Sequence, residues 1–130
     1  MLYHSFIKLV VYIFLLFGFH LAFSQSLDSL YNNYKKQTNE KKKVEALLAY
    51  GDELSQYNID SALACGSLAI NIGKKLRDTS VIGQGYILYG YSALAKADYK
   101  SALQSFLLAH DLFKKSNNKG KLAQCYTAIG

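Results

Sequence analysis

Apolar residues return at three- and four-residue steps along most of this chain, and short polar clusters interrupt them. Val44, Leu47, Leu48, Gly51 and Leu54 fall on one helical face. Asn58 and Asp60 break that run. Asp60 is predicted to cap the next helix, whose buried side is Ala62, Leu63, Ala69, Ile70 and Ile72. Asp78, Thr79 and Ser80 punctuate again, and a helix over 81–95 follows. Lys96-Ala97-Asp98 turns the chain, with Asp98 as N-cap of a helix over 99–115 that carries Leu103, Phe106, Leu107 and Phe113. Residues 116–120 are polar and turn-like, and a last helix starts at Lys121. No segment alternates with a period of two for long enough to make a strand. The chain also lacks proline, so nothing interrupts the helical hydrogen-bond ladder. The expected fold class is all-α.

The N-terminus reads differently. Lys8 is the sole charged residue before Asp28, the run 9–19 is apolar, and Ala22-Phe23-Ser24 supplies small residues before Gln25. That pattern describes a secretory signal peptide over 1–24. The competing reading is an uncleaved anchor, but a spanning helix wants about 20 mostly apolar residues. His20, Ser24, Gln25 and Ser26 spoil the second half of this one. Either way the remainder is expected to be exported. Residues 25–43 follow as a capping helix, with Leu27, Leu30, Tyr31 and Tyr34 on one face, and a polar connector over 38–43.

A shift of 40 residues aligns Ser61-Ala62-Leu63 with Ser101-Ala102-Leu103, Lys74-Lys75 with Lys114-Lys115, Tyr86 with Tyr126 and Gly90 with Gly130. Repeats of this length mark stacked helical units. Tyr86, Tyr89, Gly90, Ala102, Phe106 and Ala109 hold the large, small and aromatic packing positions of a tetratricopeptide repeat (TPR), which this segment resembles. The resemblance covers a degenerate repeat (44–79), a good one (80–119) and the start of another (120–130). The family's tryptophan and proline are absent. In the first repeat Tyr50 stands where the packing glycine belongs, and Gly66 where the aromatic belongs.

The resemblance implies an α-solenoid of antiparallel helix pairs, in which Gly90 and Ala102 let two helices approach to about 8–10 Å and Tyr86 and Phe106 fill the space beside them. It also implies a concave face that holds a protein or peptide partner, with Gln84, Ile87, Tyr91 and Leu94 pointing into it. Val44, Leu47 and Leu54 would extend that groove at one end, with Gln124 and Thr127 at the other. The lysine and asparagine set with which some family members clamp a terminal carboxylate is missing.

Composition narrows the chemistry. With 51% hydrophobic and 18% charged residues the chain is neither disordered nor collagen-like. The formal charge of +6 is spread out, and Lys74-Lys75 and Lys114-Lys115 close helices, where cations complement the helix dipole. With an exported chain, this removes nucleic acid as the expected partner. Two cysteines, Cys65 and Cys125, are too few for a zinc site or a disulfide framework. They are expected to be free and buried, and no metal or cofactor is expected.

Gly85 and Gly90 mimic a phosphate loop, but Tyr91 stands where its lysine belongs and no strand precedes it. His110, beside Asp111, is expected to make no facing pair because adjacent helical positions diverge. No catalytic residue is assigned, and the chain is not expected to be an enzyme.

Gly130 falls where a first helix would still be running, so the sequence is expected to be part of a longer protein. The functional expectation is an exported, periplasmic, non-catalytic protein that binds a partner through its concave face. The alternative is the input region of a TPR-containing histidine kinase or transcriptional regulator of the kind found in Bacteroidetes-like bacteria. Membrane contact would arise only through an uncleaved leader or a missing C-terminal part.

Overall fold

The computed structural model describes residues 1–18 and 26–130; residues 19–25 are carried only as part of the helix that spans them. Six helices follow one another: α1 (Leu2–Lys36), α2 (Glu40–Leu54), α3 (Ile59–Leu76), α4 (Thr79–Ala95), α5 (Tyr99–Lys115) and α6 (Lys119–Ile129). Each helix packs on the next, α2 also touches α4, and no strand occurs among the described residues.

The helix starts share one device. Asn39, Asn58, Asp78, Asp98 and Asn118 are the N-caps of α2 to α6, and each side-chain oxygen accepts a hydrogen bond from a backbone N–H in the first turn. Such a cap satisfies one of the N–H groups that the helix geometry leaves without a carbonyl. From Asn58 onward the caps recur every 20 residues, while Asn39 precedes Asn58 by 19.

Three of the junctions repeat in detail. The Asp78, Asp98 and Asn118 N–H groups donate to the carbonyls of Gly73, Ala93 and Phe113, and the preceding residues donate to Lys74, Leu94 and Lys114. Those preceding residues, Arg77, Ala97 and Asn117, sit in the left-handed region at φ 54°, 61° and 53°. This is the Schellman ending, and its last residue caps the following helix.

Several helix starts differ from expectation: α4 begins at Thr79 rather than 81, directly after its Asp78 cap, and α6 at Lys119 rather than Lys121, directly after Asn118. Asn58, not Asp60, caps α3, because its carboxamide reaches the Ser61 N–H at 3.1 Å. Residues 40–43 are not a connector but the first turn of α2, since Asn39 accepts from the Lys42 N–H at 3.0 Å. Asp60 instead pairs with Lys96 across the α3–α4 ends.

Glycines set the helix contacts. A Cβ on Gly66 would stand 3.0 Å from the Tyr89 nitrogen, and one on Gly85 3.0 Å from the Ile70 nitrogen, so α3 and α4 touch backbone to backbone. On the other side of α4, a Cβ on Gly83 would lie 2.5 Å from the Phe113 ring and one on Gly90 2.6 Å from the Phe106 ring. The two phenylalanines are buried to 0% and 2% exposure and seat antiparallel α5 on α4. The partner of Gly90 is therefore the Phe106 ring itself. Ala102 lies in the same cluster, with Ala93 and Phe106.

Among the described residues the α1 helix joins this body through its second half, where Leu27 and Tyr34 pack on the α2–α3 core and the Tyr31 ring lies 5.4 Å from Tyr50. Large apolar side chains from Met1 to Phe17 are exposed. The expected cut before Gln25, with Ala22-Phe23-Ser24, lies outside the described residues. Among those described, no helix is long and apolar enough to cross a membrane.

Candidate functional site

The α2, α4 and α6 helices share a groove of about 280 Å³. Glu45, Leu48 and Asp52 come from α2, Gln84 and Ile87 from α4, and Lys121 and Gln124 from α6. Counting from the N-caps explains the assembly: Glu45, Gln84 and Gln124 are each six residues beyond Asn39, Asp78 and Asn118. Leu48 and Ile87 share a second such level, each nine residues beyond its cap. Stacked copies of two helical positions thus line the groove. The α2 helix contributes two carboxylates to the lining, from Glu45 and Asp52, and α6 contributes the Lys121 ammonium. The Gln84 side chain is held upright by donating to the carbonyl and hydroxyl of Ser80, both at 3.3 Å.

The expected groove residues divide. Gln84 and Ile87 line the cavity. Tyr91 and Leu94 continue the same α4 face beyond it, 37% and 41% exposed, with the Tyr91 ring edge-on to Phe106 at 5.0 Å. Val44, Leu47 and Leu54 do not extend the groove: they are core residues at 0%, 3% and 7% exposure. Thr127 lies outside it, its hydroxyl donating to the Ala123 carbonyl at 3.0 Å. Glu45, Leu48, Asp52 and Lys121 were missed.

The reason is the short first interval. A shift of 40 carries Gln84 back to Val44, whereas the caps Asn39 and Asp78 are 39 apart and carry it to Glu45. The same correction makes Gly51, not Tyr50, the counterpart of Gly90. A Cβ on Gly51 would meet Leu88 at 2.6 Å and the Cys65 Cβ at 2.7 Å.

Tyr86 packs with Ala109 and Phe113, and Tyr89 with Ala102 and Phe106. Cys65 and Cys125 are free and buried, and burial raises both thiols above their ordinary value.

His110 departs from expectation. Its Nδ1 lies 3.2 Å from Asp111 Oδ1, and its Nε2 lies 3.3 Å from the Tyr126 hydroxyl, with the two rings edge-on at 5.2 Å. Neighbouring Cβ atoms diverge, but the carboxylate arm is long enough to swing back once Tyr126 fixes the imidazole. The cluster ties α6 to α5. Among the described residues no group of three histidine, cysteine or acidic side chains could hold a metal ion.

Compared with known proteins, no family model matches the chain, and no curated protein and no solved structure does either.

Proposed function

We propose that the chain is a stretch of TPR-like α-solenoid that acts without catalysis, by holding an extended segment of a partner protein in the groove of α2, α4 and α6. The observation that carries this reading is the alignment of Glu45, Gln84 and Gln124, equivalent positions of three helices, along one cavity. A row of like positions offers repeated contacts to a chain that is itself periodic. Leu48 and Ile87 supply apolar area, while the Gln84 carboxamide offers its oxygen and the Gln124 carboxamide both its oxygen and its N–H groups to a peptide backbone. Tyr91, exposed on the same face, supplies an aromatic anchor of the kind that dominates interface energies.

The leader pattern supports export to the periplasm as the setting. Selection of a displayed random-peptide library on the full chain tests the binding role. Gln84→Ala and Gln124→Ala are each expected to weaken selected peptides while leaving helical content intact. Equal capture by both variants would remove the groove from the function.

A further inference from the structure

A second pocket, of about 340 Å³, opens on the opposite side of α4, between α3 and α5. Tyr86 and Tyr89 lie half-buried on its floor, Ser67 and Asn71 line the α3 wall, and Gln104 and Ser105 line the α5 wall. Its volume is at the small end of ligand sites, roughly 300–1,000 Å³. No lysine, arginine, histidine or carboxylate lines it. Nothing there would compensate a charged ligand once water was displaced. Its polar groups are hydroxyls and carboxamides alone, each able both to donate and to accept. Among the described residues, the side chains of Ser67, Asn71, Tyr86, Tyr89 and Gln104 spend none of this capacity on protein partners. The Ser105 hydroxyl donates to the Ser101 carbonyl at 2.7 Å and keeps its lone pairs.

The fold does not require this polarity. At the preceding junction the positions equivalent to Tyr86, Tyr89, Gln104 and Ser105 are Leu47, Tyr50, Ala64 and Cys65. There the Tyr31 and Tyr34 rings of α1 pack beside Tyr50 and the core. Between α3 and α5 the corresponding space is open, lined by hydroxyls and amides beside the apolar Ile70 and Leu108.

We propose that this pocket binds a short neutral saccharide. Phenol rings offer flat apolar faces to the C–H side of a pyranose, and the surrounding hydroxyls and amides match its ring of hydroxyl groups. A site without fixed charge selects the neutral sugar over its phosphorylated or uronic forms. The site shares no residue with the peptide groove, so either assignment stands without the other.

NMR titration of the full chain with maltose, cellobiose and diacetylchitobiose, each in turn, tests the proposal. Inorganic phosphate and a proline-rich peptide serve as contrasting probes. Saturable shifts of the Asn71 and Gln104 side-chain amides with at least one disaccharide are expected, and none with phosphate. Gln104→Ala, on an exposed helix position, should weaken that binding about fivefold by removing one hydrogen-bonding group. Tyr86→Phe tests a single floor hydroxyl and should also weaken it. The proposal is overturned by an absence of saturable shifts with all three sugars, by undiminished affinity in both variants, or by saturation with the proline-rich peptide alone.

Discussion

A methyl group added at Gly83 would stand 2.5 Å from the Phe113 Cζ, inside a contact that no real side chain tolerates. Phe113 is fully buried, so the ring has no free volume into which to retreat. Alanine is the better helix former by up to about 1 kcal/mol, yet overpacking a well-filled core costs about 1–3 kcal/mol. Gly83→Ala is therefore expected to lower the denaturation midpoint, and Gly90→Leu, against Phe106, to lower it further. Gly120 is the internal contrast, because a Cβ there meets only the Asn118 carboxamide oxygen at 3.9 Å. Gly120→Ala should raise the midpoint. Equal signs at Gly83 and Gly120 would mean that propensity, not ring seating, explains the glycines.

The junctions between helices carry their own strain and their own titration. Ala97 holds φ at 61° with no side-chain hydrogen bond to compensate it. Left-handed backbone costs an ordinary residue roughly 1 kcal/mol. Ala97→Gly should stabilise the protein by about 0.5–1 kcal/mol, measured by chemical denaturation, and a loss would place the α4–α5 turn elsewhere. Asp78 is the cap most tied to charge. The Val81 N–H holds its carboxyl below the ordinary value, with the Lys41 ammonium 3.2 Å away also favouring the anion, against the opposing effect of partial burial. A carboxyl lowered on folding contributes stability above its unfolded value of 3.8, and loses it as pH falls through the folded one. Asp78→Asn keeps the capping oxygen and is expected to lessen the loss of stability below that pH.

Much of this element-level order was legible beforehand. Asp98 and the helix over 99–115 follow from one capping residue and a clean apolar stripe, and both are found. Asp60 misled because two cap-forming residues stand close together. The end of α2 holds Asn58 in the turn, its N–H donating to the Leu54 carbonyl at 2.7 Å, and its carboxamide then accepts from the Ser61 N–H at 3.1 Å.

Across the whole molecule, one missing residue in the first helical interval shifts which side of α2 faces the groove. Glu45 and Leu48 replace Val44 and Leu47 there, and Asp52 joins them, so the expected apolar end carries two carboxylates. The interval of 40 between the α4 and α6 caps carries Gln84 onto Gln124, and both line the groove beside Ile87. The pocket between α3 and α5 had no sequence signal, since Ser67, Tyr86 and Gln104 come together only through the α3–α4 and α4–α5 packings. Both cavities rest on the spacing that the glycine seats impose on α4.

Proton NMR at those seats is the most direct measurement. Phenylalanine rings lying on Gly83 and Gly90 should displace the glycine α-proton resonances strongly by their ring currents. They should also give nuclear Overhauser contacts from Phe113 to Gly83 and from Phe106 to Gly90. Glycine α-protons at ordinary shifts, without contacts to either ring, would contradict the helix stacking from which the groove and the pocket are built.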